Sequence, residues 1–303
     1  MWRKLGGFFV CMLLLFTSLI VGVGAAKDVS SADDYVDVPS WSIGDSWTFD
    51  VECNQSFDQH NCFQWSIKDL QFTVVEDFAD SYRLDFVGNV TGEIKHFPFP
   101  RPVKEGTING YEVVEKSNLG LSEIIAHVDG TTSLHHWPGD IPITIDMKIM
   151  FDPAFAPLSF PLYVGKNWVY NSSTVTIDYT ISAFGMSESI HKVVIIEAGP
   201  ASCTNKGNIT VEAGSYEAFE VDVHWGLLKI YYAPKVANVI KISGVDPAQF
   251  TSIEMELTST TYAPSGAPSK PDQPDGPTSG SAGEVYRYCT TMVDAEGDQV
   301  YYW

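Results

Sequence analysis

Apolar and polar residues alternate at every second position along much of the chain. The pattern is clearest in Phe219-Glu220-Val221-Asp222-Val223-His224-Trp225, and it recurs in Ile253-Glu254-Met255-Glu256-Leu257 and Tyr82-Arg83-Leu84-Asp85-Phe86. A period of two sends successive side chains to opposite faces of a strand. Each segment therefore predicts a strand with one dry and one wet face. Phe219, Val221, Val223 and Trp225 form one apolar set, with Ile253, Met255 and Leu257 on a neighbouring strand, and His224 falls on the polar face. No long segment holds a 3.6-residue period. Asn118 to His127 is the nearest approach, and it is short and mixed. Val, Ile, Thr, Tyr and Phe are plentiful while Gly, Pro and Asn punctuate. The expected class is mostly β, built from half-solvated antiparallel sheets.

Two places in the chain begin strands in the same way. Trp41-Ser-Ile-Gly44-Asp-Ser-Trp47 leads into one, and Gly165-Lys-Asn-Trp168 into another. In both, a glycine turn precedes by three residues a tryptophan that opens a strand, which suits an indole plugging the end of a sheet. The repetition predicts two antiparallel β units, 38–150 and 155–262. After them, Pro264, Pro268, Pro271, Pro274 and Pro277 stand among small and polar residues. Such a stretch reads as a semi-stiff spacer, assigned to 263–276.

The N-terminus and the charge balance narrow the setting. Trp2-Arg3-Lys4, an apolar run from Gly6 to Val23 and the small residues Gly24-Ala25-Ala26 have the order of a secretory signal peptide, assigned to 1–26. An uncleaved membrane anchor is the rival reading. Acidic residues outnumber basic ones 38 to 18, for a net charge of −20. Such a surface repels nucleic acid and anionic head groups, so nucleic acid is not an expected partner. A membrane is expected only through an anchor outside this sequence. The location expected is secreted or cell-surface.

Export permits disulfides. Cys11 belongs to the leader; Cys53 and Cys62 flank a polar stretch between two segments of strand character. A bridge there would staple a hairpin near its tip, and closing so short a loop contributes roughly 2–3 kcal/mol. Cys203 and Cys289 are left either as thiols or joined to each other. Four sequons, at Asn54, Asn89, Asn171 and Asn208, are possible N-glycosylation sites.

Two motif sets carry resemblances. Phe160-Pro-Leu-x-x-Gly165-x-x-Trp168, the run Val211 to Val221 and Tyr231-Tyr-Ala-Pro-x-Val236 together resemble a family of secreted proteins of unknown function. The fold associated with that family is similar to lipoprotein-carrier (LolA-like) sheets, in which an antiparallel sheet curls into an incomplete barrel. The chain departs from the pattern at Ala237-Asn238, where the family often has glycine. The second set is Pro277, Gly280, Gly283, Tyr286, Asp294, Gly297, Asp298, Val300 and Tyr302, which resembles the opening of an immunoglobulin-like PKD module. The turn that usually follows is not reached, so 277–303 reads as a truncated β-sandwich module. Asp294 and Asp298 resemble an acidic calcium turn, although two carboxylates supply too few of the ~6–8 oxygens calcium takes.

Catalytic signatures are scarce. The chain has no G-x-S-x-G elbow, H-E-x-x-H helix or phosphate loop. His135 and His136, near His127, Asp129 and Asp140, are the best metal candidates. Adjacent strand residues face opposite ways, so a wet loop beside Trp137 is the plainer reading. Glu212, Glu217, Glu220 and Asp222 could supply a glycosidase carboxylate pair, yet a half-exposed sheet carries such residues anyway. Trp65, Trp137, Trp225, Tyr231 and Tyr232 offer either a core or a sugar platform. The function expected is non-enzymatic, without cofactor or metal: adhesion or surface-layer association, with an extracellular protein or carbohydrate as partner. The alternatives are an apolar (lipid) ligand held in a curved sheet, or an accessory region of an extracellular hydrolase. Of the two states open to a curved sheet, an empty or a filled concavity, the filled one is expected.

Overall fold

The computed structural model describes residues 35–58, 61–95, 101–133, 139–183, 185–246 and 251–263. The chain divides into two compact units, Met1–Tyr262 and Ala263–Trp303. Apart from Ala263, the expected spacer 263–276 and PKD-like module 277–303 lie outside the described residues, and so does the expected leader 1–26.

The described part of the first unit is almost entirely β. Its strands are β1 Ser46–Asp58, β2 Asn61–Asp77, β3 Ser81–Lys95, β4 Arg101–Glu115, β5 Leu121–Ser133, β6 Asp140–Phe155, β7 Asn167–Tyr170, β8 Ser173–Ala183, β9 Met186–Ile196, β10 Gly199–Val211, β11 Gly214–Val223, β12 Leu228–Ala233, β13 Asn238–Asp246 and β14 Thr251–Thr260. A short 3-10 turn, Pro234–Val236, separates β12 from β13. The strands form one antiparallel 14-stranded sheet in the order β7-β10-β11-β12-β13-β14-β1-β2-β3-β4-β5-β6-β8-β9.

That order corrects the picture of two separate sheets. β14 pairs with β1 and β8 with β6, so 38–150 and 155–262 share a single sheet. It also shows how the sheet is bent. β7 lies at one end of the order and β8 next to the other end, yet only Asn171 and Ser172 separate them in the chain. Two intervening residues span at most about 11 Å, so the two ends must come close together. Ring contact between Phe155 of β6 and Tyr170 of β7, at 5.8 Å, confirms that the sheet curls on itself. The sheet is curved but not closed.

The buried side chains lie on one face of this curl. In β6 the residues Ile141, Ile143, Ile145, Met147, Ile149 and Phe151 are buried while their neighbours are mostly wet, and β8 repeats the pattern from Ser173 to Ala183. Cross-strand register keeps the dry residues together: Ile149 opposes Ile177, and Met147 opposes Tyr179. At one point β4 and β5 approach too closely for any side chain to stand between their backbones. Gly110 occupies that point, because a Cβ there would stand 1.9 Å from the Ile125 carbonyl oxygen.

The repeated glycine turn is wired identically in both places. Gly44 N–H donates to Val74 O, Val74 N–H to Asp45 O, and Asp45 N–H to Ser42 O. The second copy has Gly165 donating to Cys203 O, Cys203 to Lys166 O, and Lys166 to Tyr163 O. Both glycines hold positive φ, +98° and +91°, as the turn requires. The indoles diverge. Trp47 is fully buried and donates Nε1–H to Val236 O, beside Trp41, whose Nε1–H reaches Ala237 O. Trp168 is only half-buried and donates to Pro157 O.

Candidate functional site

The outer face of β5, β6, β8 and β9 carries an open groove of about 450 Å³. Register aligns two rows of side chains across it. One runs Ile125, Lys148, Asp178, His191, and the other His127, Asp146, Thr180, Ser189. Each residue is one strand from its neighbour, at the ~4.5–5.5 Å spacing that lets directly opposite side chains meet. They do meet. His127 Nδ1 lies 2.7 Å from Asp146 Oδ1, and His191 Nδ1 lies 2.7 Å from Asp178 Oδ1. The Thr180 and Ser189 hydroxyls are 2.8 Å apart, and Lys148 Nζ pairs with Glu123 at 3.2 Å.

The chemistry of the groove is hydrogen bonding at fixed positions. When Nδ1 of each histidine faces an aspartate, Nε2 is left on the far side of the ring. The aspartates each keep a second oxygen. Such exposed cross-strand pairs contribute only ~0.2–1 kcal/mol each to stability, so their alignment matters more for presentation than for folding. Among the described residues no group of three or more His, Cys, Asp or Glu side chains is placed to hold a metal ion. Of the metal candidates, His127 stands in the groove, Asp129 lies on the same wet face opposite Thr144, and Asp140 is exposed at the start of β6. His135 and His136 lie outside the described residues.

The hairpin bridge is not supported. Cys53 stands opposite Trp65, whereas Cys62 stands opposite Ser56. Three residues of offset amount to about 10 Å along the strand, beyond the ~7 Å that a disulfide can span. Cys203 is buried, and desolvation pushes its thiol up to about 12. Cys289, Asp294 and Asp298 lie outside the described residues. The four sequon residues Asn54, Asn89, Asn171 and Asn208 are all exposed: the first two on β1 and β3, the third between β7 and β8, the fourth on β10.

Two residues trade faces relative to the sequence expectation. β11 ends at Val223, and His224 and Trp225 both adopt positive φ, 55° and 60°. The alternation stops there. His224 turns inward, 7% exposed, with Nδ1 2.7 Å from the Tyr170 hydroxyl, while Trp225 is 42% exposed. Trp65 and Tyr232 are core, Tyr231 is half-buried, and Trp137 lies outside the described residues. Glu220 and Asp222 do share a face, but Lys229 Nζ binds both, at 2.5 and 2.8 Å. Those two hydrogen bonds hold the ammonium well above its ordinary range. The carboxylates are thereby neutralised as a structural clasp. Glu212 and Glu217 are exposed.

One ionisable group sits on the apolar face and escaped the sequence reading. Glu112 of β4 is flanked across the sheet by Leu84 and Ile124. Desolvation alone raises its carboxyl from 4.5 to about 7. Among the described residues no hydrogen bond or ion pair offsets the burial of this carboxyl.

No protein-family model matches the chain, and neither the curated proteins nor the solved structures include a significant match. Among the described residues no helix is long and apolar enough to cross a membrane.

Proposed function

We propose that this is a non-enzymatic secreted or surface-exposed recognition protein whose outer sheet face binds an extracellular carbohydrate. The observation that carries the reading is the pair of aligned His–Asp contacts framing the groove on β5, β6, β8 and β9. Paired carboxylate and imidazole groups at fixed spacing suit vicinal hydroxyls, which donate and accept at once. A volume of about 450 Å³ falls within the ~300–1,000 Å³ of small-molecule sites. Adhesion or surface-layer association is the use such a face would serve, and the leader-like N-terminus and acidic charge support an extracellular setting.

The alternative of an apolar ligand within the curl draws less support. Of the residues expected to line it, Phe219, Val221, Val223, Ile253 and Leu257 are buried and Met255 is partly so, as side chains packed at interior density would be, while Trp225 is exposed.

A printed array of bacterial, archaeal and eukaryotic glycans, probed with the labelled full chain, tests the reading. The expected result is a restricted set of bound glycans, lost in the double variant His127→Ala/His191→Ala. Uniform absence of binding, or binding indifferent to the double substitution, would overturn it.

A further inference from the structure

The two ends of the sheet are finished differently. β7 is only four residues long, which blunts that edge in the usual way. β9, at the other end, runs for 11 residues and, among the described residues, pairs only with β8. Its register with β8 is unbroken from Ser173↔Ile196 to Ala183↔Met186, so no bulge turns the edge aside. It contains no proline. On its outer face Val193 and Ile195 are 53% and 55% exposed, and at the opposite end Met186, on the inner face opposite Ala183, is 56% exposed. An edge so long, unbroken in register and partly apolar is a template for another strand.

The strand is complementary to itself. Pairing two copies antiparallel about Ile190 sets Glu188 of each opposite Lys192 of the other. The same alignment puts Met186 opposite Val194 and Ser187 opposite Val193. Because directly opposed residues share a face, the inner face of one sheet would continue into that of the other. Shifting the centre by one residue, to His191, would set Glu188 opposite Val194 and lose both ion pairs. The net charge of −20 works against association at a distance. At physiological salt that repulsion is screened beyond ~8 Å, while the strand itself carries one acidic and one basic residue along with His191.

We infer that the β9 edge is a homodimer interface, in which two copies pair antiparallel about Ile190 through reciprocal Glu188–Lys192 contacts. The dimer is independent of what the groove binds. It would set two grooves side by side, since Ser189 and His191 of β9 line each one.

Sedimentation velocity of the full chain at about 0.15 M salt, over a rising concentration series, tests the inference. Wild type should shift from monomer to dimer. Lys192→Glu should weaken dimerisation at least tenfold by opposing like charges twice, and Glu188→Lys combined with Lys192→Glu should restore it. Both positions lie on the edge strand with access to solvent, and circular dichroism checks that each variant keeps its β content. A wild type that stays monomeric across the series would overturn the inference. So would a dimer that ignores Lys192→Glu, or a double swap that fails to rescue.

Discussion

Replacing Glu112 by Gln removes a charge from the apolar face while keeping the shape of the side chain. The native carboxyl titrates at about 7 in the folded protein against 4.5 without burial. A raised carboxyl means that the folded state holds its proton more tightly than the unfolded state does. The stability this group permits is therefore complete below about pH 4.5, falls as pH rises toward 7, and is fully lost above that. A displacement of about 2.5 pH units at 1.36 kcal/mol each sets a ceiling of about 3 kcal/mol. Glu112 is only partly buried in surface terms, so water reaches it and the realised effect should be nearer half the ceiling. Gln carries no charge at any pH. The variant should match wild type at about pH 4 and exceed it at about pH 8.5 by roughly 1–2 kcal/mol, or ~2–8 °C in melting temperature for a unit of this size. Thermal unfolding followed by circular dichroism at both pH values measures the difference. A gap between Glu112→Gln and wild type that is the same at both would refute the reasoning, because only a titrating group makes the gap depend on pH.

Two further predictions concern packing. Gly110→Ala should destabilise by ~1–3 kcal/mol or more, since its Cβ would meet the Ile125 backbone, whereas Gly207→Ala, with nothing nearer than 3.9 Å, should be close to neutral; chemical denaturation distinguishes them. Cys203 should resist alkylation at about pH 8 until the protein is unfolded, because burial both hides the thiol and keeps it protonated; mass spectrometry of the alkylated protein reads this directly. The same non-reducing digest should contain no Cys53–Cys62 cross-link.

The strands were legible because alternation is local: the segments that became β3, β11 and β14 announce their dry face residue by residue. Continuity of the sheet was not, since the β1–β14 pairing joins segments from opposite ends of the unit and no local pattern encodes it. Repetition of the glycine turn could be read from two short motifs, and the shared hydrogen bonds bear out the likeness. His224 and Trp225 were misplaced because alternation was extended through a turn that two left-handed residues make. Nothing nearby forces that conformation except Gly226 after them. Glu112 was hidden by its neighbours: Tyr111 and Val113 look like the dry set, yet register puts Glu112 on the inner face with Leu84. The groove was invisible for a different reason. Its rows take one residue from each of four strands, so His127 met Asp146, and Asp178 met His191, only once the register was known.

The most direct test of the central claim is titration calorimetry of the full chain with the strongest glycan from the array. The account predicts saturable binding by wild type, abolished in His127→Ala/His191→Ala and retained in Glu112→Gln, whose change lies on the opposite face. Undiminished binding by the histidine double variant, or loss of binding in Glu112→Gln alone, would contradict it.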